Sequence, residues 1–200
     1  MKSNMHYLSA GIALSAAFLF PQLAEAHVAH GGHNGLLVGL MHPLSGWDHV
    51  LAMVAVGIWA AQLGTPAVRA LPFAFPLLMA VGGFIGLRGI PLPGIESGIA
   101  LSAVVLGAAV LLRYRAPLKL AVPIVAFFGL LHGHAHGAEL PPGQDAFVFS
   151  LGFIVGTGLL HATGIAFGLG CRRRWHGLAL RGAGAGVLAG GMTFLWSAVA

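Results

Sequence analysis

The stretch "LKLAVPIVAFFGLLHGHAHG", residues 118–137, carries one charged residue, Lys119, and three histidines near its end. A helix of about 20 mainly apolar residues is long enough to cross the hydrocarbon core of a bilayer. The polar end of this run continues as "LLHGHAHGAEL", residues 130–140. That segment is either a soluble metal-binding tail or a polar cluster at the edge of a membrane, and the rest of the sequence decides between the two.

The composition of the whole chain favours a membrane. Of the 200 residues, 58% are hydrophobic and 8% are charged, whereas a soluble domain carries about 25% charged residues. Six spans of roughly 20 residues need about 120 apolar positions, so the length allows one integral membrane domain without a second soluble domain. The net charge of +5 does not indicate nucleic-acid binding, because almost all basic residues lie in short loops between apolar runs.

The N-terminal residues have the order of a secretory signal peptide. Lys2 lies near the start, residues 7–20 are apolar, and "AEA" at 24–26 has the small-x-small pattern of a cleavage site. We therefore expect a signal peptide at 1–26 and a mature chain that begins at His27 outside the membrane. The alternative is an uncleaved first helix, for which the apolar core is short.

Six apolar stretches follow the leader, each bounded by proline, glycine or charge. They cover residues 36–63, 70–88, 95–113, 118–137, 146–169 and 178–199. They predict an all-α integral membrane protein, a six-helix transmembrane bundle over residues 36–200, preceded by a periplasmic segment at 27–35. Glycines cluster inside the stretches, as in "VGGFIG" at 81–86, which indicates close helix packing.

The basic residues of the loops predict the orientation of the bundle. With the mature N-terminus outside, the loops after the first, third and fifth stretches face the cytoplasm. Those loops carry Arg69, Arg113, Arg115, Lys119, Arg172, Arg173, Arg174 and Arg181, whereas the outer side of the mature chain carries only Arg88. This asymmetry follows the positive-inside rule. We expect a multi-pass protein of the bacterial inner (cytoplasmic) membrane with both mature termini in the periplasm.

The histidines of the fourth stretch fall on two sides of a helix. At about 100° per residue, His132, His136 and Glu139 lie at about 0°, 40° and −20°, whereas His134 points to the opposite side. Two imidazoles at i and i+4 can share one divalent ion, and a carboxylate one turn on can complete the site. The stripe predicts a metal site, and the alternative is histidines that only form hydrogen bonds across the bundle.

The first stretch contributes "HPLSGWDHVLAM", with His42, Asp48 and His49. On a regular helix the two histidines are about 10.5 Å apart along the axis, too far to share one ion. Pro43 and Gly46 can begin or kink the helix here, so either a distortion folds His42 over the site or two sites lie along a route. Asp48 can orient an imidazole. Both polar clusters fall in the outer half of the membrane.

These two clusters resemble the signatures of the HupE/UreJ family of nickel permeases. His42, Asp48 and His49 match a His-x5-Asp-His motif, and "LHGHAHGAE" matches Phe-His-Gly-x-Ala/Val-His-Gly-x-Glu, with Leu131 in place of the phenylalanine. The resemblance covers essentially the whole chain. It implies metal-transport roles for His42, Asp48, His49, His132, His136 and Glu139. It also implies a link to nickel enzymes such as hydrogenase or urease, with cobalt handled by some relatives.

The mature N-terminus, "HVAHGGHNG", is a further candidate region. It offers a free amine together with His27, His30 and His33 in a glycine-containing segment. This segment either captures a metal outside the membrane or is a solvated tail.

Three other polar residues have two interpretations each. His161, in the middle of the fifth stretch, either lines a deeper part of the pathway or packs against a carbonyl. Glu96 either interacts with the dipole of its helix or belongs to an entry vestibule. His134 is either a further ligand or lies away from the site.

The sequence thus predicts a divalent transition-metal permease that is not an enzyme and has no prosthetic group. Its substrate is Ni²⁺, with Co²⁺ or Zn²⁺ compatible with the same imidazole and carboxylate ligands. The alternatives are an intramembrane zinc metallohydrolase built on the histidines and Asp48, and a metal-binding accessory protein that does not transport. The lipid bilayer is the expected surrounding and nucleic acid is not an expected partner.

Overall fold

The computed structural model describes residues 35–174 and 177–200, without the side chains of 172–174. The predicted signal peptide and the histidines of the N-terminal segment (His27, His30 and His33) lie outside the described residues. Within the described part the regular structure is entirely helical. The helices are α1 (Gly35–Met41), a 3-10 helix (His42–Leu44), α2 (Trp47–Leu63), α3 (Thr65–Leu87), α4 (Ile95–Leu111), α5 (Leu118–Ala138), α6 (Ala146–Arg174) and α7 (Leu178–Val199).

Four of these helices are long and apolar enough to cross a membrane: α3, α5, the first 26 residues of α6, and α7. A fifth span results if Gly35–Leu44 and Trp47–Leu63, which are bent by 82° at their junction, count as one. The third predicted stretch forms α4, which has 17 residues and is shorter than a typical span of about 20. The prediction of an all-helical membrane protein is confirmed for the described residues, with four or five candidate spans by length and composition.

The break in the first predicted span has a local cause. Pro43 lies within the 3-10 helix, and Gly46, with φ −115° and ψ 120°, has the extended backbone that precedes α2. The Ser45 backbone N–H and hydroxyl both donate to the carbonyl of His42, at 3.0 and 2.7 Å. The chain therefore ends one helix at Leu44 and starts another at Trp47.

Close packing of helix backbones organises the bundle. The closest pairs are α3 with α5, α4 with α7, and α2 with α6. A Cβ atom at Gly133 of α5 would collide with the Met79 carbonyl oxygen of α3, and one at Gly57 of α2 would collide with the His161 carbonyl oxygen of α6. Small residues let membrane helices approach this closely. The histidines of α5 and α6 are buried between these helices.

The outer surface of the bundle is rich in large apolar side chains. Examples with more than half of their surface exposed are Phe73, Phe84, Phe127, Phe147 and Trp196. A soluble monomer rarely exposes an apolar surface of this extent. The surface is that of a protein surrounded by lipid.

Candidate metal centre

The α5 helix supplies two buried imidazoles one turn apart. His132 is 0% exposed and His136 is 6% exposed. The ring centroid of His49, from α2, lies 4.9 Å from that of His132 and 4.4 Å from that of His136. Because α5 continues to Ala138, both histidines and the following Glu139 belong to one helical stripe.

The bend before α2 brings His42 to the same place. Its ring centroid lies 4.8 Å from that of His136. On a straight helix His42 and His49 would be about 10.5 Å apart along the axis, but the 82° bend lets both rings contact His136. The structure therefore has the distortion at Pro43–Gly46 that folds His42 over the cluster.

Asp48 contacts this cluster through its neighbour His49. Its Oδ1 atom accepts hydrogen bonds from the His49 backbone N–H at 2.9 Å and from the ring Nδ1 at 2.7 Å. A Cβ atom at Gly46 would lie 2.7 Å from that Oδ1 and 2.8 Å from the same Nδ1, so a larger residue there would force this pair to shift. With Nδ1 as the donor, the Nε2 lone pair of His49 is available for an ion.

Several ring nitrogens in the cluster are buried without a hydrogen-bond partner. His132 donates from Nδ1 to the Phe128 carbonyl at 2.8 Å, which leaves its Nε2 free. The other unpaired atoms are Nε2 of His42, Nε2 of His49 and both nitrogens of His136. Buried polar atoms are normally paired, so this concentration of unpaired imidazole nitrogens is the arrangement expected of metal ligands.

One group of three already has ligand-like separations. Single ligand atoms of His42, His136 and Glu139 all lie within 4.8 Å of one another. Glu139 is the first residue after α5 and its side chain is exposed. Partial burial is the main cause that raises the pKa of this carboxyl, an effect that His49 opposes and Glu96 adds to. The arrangement is a carboxylate at the open end of a histidine cluster.

Two phenylalanines that the sequence analysis did not single out form a wall of the cluster. The Phe149 ring centroid is 5.2 Å from that of His42, and the Phe153 ring centroid is 4.3 Å from that of His136. They are one turn apart on α6, and that spacing was the only signal of a shared face in the sequence. Both rings are almost fully buried and pack against the imidazoles from the side of α6.

An apolar cavity of about 250 Å³ reaches His136 between α3, α5 and α6. Its lining includes Phe84, Leu87, Phe147 and Phe153. Such an apolar lining offers no polar atoms to replace the water molecules around a hydrated ion. The polar approach to His136 is therefore the side of His42 and Glu139.

His134 lies away from the cluster. Its Nε2 donates to the Ile90 carbonyl at 2.7 Å, which connects α5 to the loop between α3 and α4.

Glu96 is exposed near the start of α4 and is close enough to Glu139 to act on its ionisation. His161 is buried elsewhere, with its ring centroid 5.2 Å from that of Phe75.

Comparison with known proteins identifies the family of the chain. Residues 14–194 match the family described as HupE / UreJ protein. The chain is 47% identical over 151 residues to Protein HupE of Rhizobium leguminosarum bv. viciae, which covers 75% of this chain and 78% of that protein. No solved structure matches. Because the family match covers most of the sequence, the chain belongs to the HupE/UreJ family.

Proposed function

We propose that the chain is a permease that moves a divalent transition-metal ion, Ni²⁺ in the first place and Co²⁺ in the second, inward across the bacterial cytoplasmic membrane. The observation that carries the proposal is the convergence of His42, His49, His132 and His136, each of which has at least one buried ring nitrogen without a hydrogen-bond partner. Delivery to a metalloenzyme such as hydrogenase or urease is the role that the family suggests.

The ligand types restrict the ion. Neutral imidazole and carboxylate suit Ni²⁺, Co²⁺ and Zn²⁺, whereas thiolates and clustered thioethers suit Cu(I). The chain has one cysteine, Cys171, at the far end of α6 from the cluster. The cluster thus fits a borderline divalent ion and not a soft monovalent one.

The position of the cluster suits transport. A charge within the hydrocarbon core is expensive unless polar groups replace its hydration shell. A conducting site must bind well enough to admit an ion and weakly enough to release it. Several ligands spread over His42, His49, His132 and His136 meet both demands, because an ion can exchange one imidazole for the next.

The competing interpretations differ in what they predict. Proteins of the HupE/UreJ family are permease-type accessory proteins of the membrane and not enzymes, so the prediction of no enzyme activity is confirmed and a zinc metallohydrolase is not favoured. A metal-binding accessory protein without transport would bind the same ions at the same cluster. Only a flux measurement separates it from a permease.

The test is uptake of Ni²⁺, Co²⁺ and Zn²⁺ by proteoliposomes that contain the purified full-length protein and an internal metal-sensitive dye. We expect saturable Ni²⁺ entry above that of protein-free liposomes. His136→Ala should remove it, because His136 contacts both His42 and His49. Thr163→Ala, at an exposed position of α6, is the control and should transport normally. Binding of Ni²⁺ without entry of either Ni²⁺ or Co²⁺ would contradict the proposal in favour of an accessory binder.

A further inference from the structure

We propose that His161 forms an inner transit site, where an imidazole nitrogen binds the metal ion after it leaves His132. This inference rests on the proposed transport function and adds a second binding position deeper in the bundle. His161 lies near the middle of α6, which runs from Ala146 to Arg174. It is separate from the cluster of His42, His49, His132 and His136.

His161 is buried without the partners that a buried imidazole needs. It is 1% exposed, and neither of its ring nitrogens forms a hydrogen bond of standard geometry. The backbone carbonyl of Pro72 on α3 lies close enough to interact with the ring. That carbonyl has no helical N–H donor, because Pro76 occupies the position four residues on. A polar ring with unpaired nitrogens inside a membrane bundle is a candidate functional group.

A single aromatic ring separates this position from the outer cluster. The ring centroid of Phe75 lies 5.2 Å from that of His132 and 5.2 Å from that of His161. All three side chains are almost fully buried. An ion that passes from the first imidazole to the second has to pass the Phe75 ring. The two histidines are therefore consecutive ligands on either side of one apolar barrier.

The surroundings of His161 contain further atoms with affinity for a metal. Thr157, one turn away on α6, is 0% exposed, and its hydroxyl lies 3.9 Å from the sulfur of Met79. Met79 is one turn from Phe75 on α3, and it is 3% exposed. Imidazole, thioether and a free carbonyl form a weak ligand set that lacks a carboxylate. Such a set suits brief residence and not storage.

The test exchanges the ligand at position 161 in the full-length protein and measures both flux and binding. His161→Leu removes the ligand, and His161→Cys replaces it by a thiolate. We expect the leucine variant to lose about tenfold or more in Ni²⁺ uptake by proteoliposomes, equal to ~1.4 kcal/mol or more in the barrier. Titration calorimetry should show unchanged Ni²⁺ binding at the outer cluster. The cysteine variant should keep transport but become sensitive to Cd²⁺, a softer ion.

Thr163→Ala, exposed on the same helix, is the control and should change neither measurement. Wild-type uptake by the leucine variant would overturn the proposal. Equal loss in the leucine and cysteine variants, without Cd²⁺ sensitivity, would also overturn it, because the ring would then be needed only for packing. Should the leucine variant fail to fold, the cysteine variant decides alone. If the wild-type protein transports no ion, the permease function fails first, whatever these variants do.

Discussion

At the scale of single residues, Asp48 contacts the candidate metal centre through the ring of His49. Its Oδ1 atom accepts the Nδ1 proton of His49 at 2.7 Å, so Nε2 is the nitrogen left for an ion. A carboxylate in this position fixes the tautomer and orientation of the ring and raises its basicity. We therefore expect metal binding at the candidate centre to depend on the negative charge of Asp48.

The replacement Asp48→Asn tests this role. The amide oxygen still accepts the hydrogen bond, but the negative charge is lost. We expect the affinity for Ni²⁺, measured by titration calorimetry, to fall by about 10–100-fold. Asp145→Asn is the matched control, because Asp145 is exposed and its Oδ1 accepts only the Val148 N–H at the start of α6. Equal affinities in the two variants would show that the charge of Asp48 does not act on the site.

Helical periodicity alone predicted part of this site. The spacing of His132, His136 and Glu139 was enough to group them, because α5 is regular up to Ala138. The contribution of Phe149 and Phe153 was not predictable, because it depends on how α6 packs against the other helices. Helical periodicity shows which residues share one face of a helix, but it does not show which other helix packs against that face.

At the scale of elements, the break between the 3-10 helix and α2 assembles the centre. Pro43 and Gly46 indicated that a distortion was available, but the sequence left open whether it would join His42 to the other ligands or separate two sites. The 82° bend joins them. At the bend the His42 ring contacts Phe149 of α6, and the sequence of the first stretch alone did not predict this contact.

Helix contacts through glycine should be sensitive to a single methyl group. Gly133→Ala places a Cβ atom against the Met79 backbone, where no flexible side chain can move aside. We expect a loss of about 1–3 kcal/mol in stability, as for other overpacked positions, measured by unfolding in detergent. Gly158→Ala is the control, because no atom lies within 4 Å of a Cβ there. If both variants had the same stability, the close contact between α3 and α5 at Gly133 would be contradicted.

At the scale of the whole molecule, three helix segments meet at one end of the bundle to form the centre. The end of α5 carries His136, the start of α2 carries His49, and the start of α6 carries Phe149 and Phe153. The end of α5 and the start of α6 lie on the same side because one short loop connects them. The prediction from sequence that the two polar clusters share one side follows from the alternation of spans, which needs no packing detail. Which helices pair, as α3 does with α5, required the structure.

The proposed inward transport requires that this end of the bundle faces the periplasm. The excess of basic residues in the loop at 112–117 and around 172–181 predicts that the opposite end, with the centre, is periplasmic. Exposed Pro142, in the loop after α5, and exposed Tyr114, in the loop after α4, report on the two sides. The test replaces each of these two residues by cysteine in a Cys171→Ser background, which has no other cysteine. Spheroplasts that contain each variant are then labelled with a membrane-impermeant maleimide.

We expect Pro142→Cys to react in intact spheroplasts and Tyr114→Cys to react only after the membrane is permeabilised. The Cys171→Ser protein without an added cysteine is the control and should not be labelled in either state. The reverse pattern would put Glu139 and the histidine cluster on the cytoplasmic side. The same ligands would then form an exit site, and the inward direction would lose its support, whereas the binding of the metal at the cluster would not be affected.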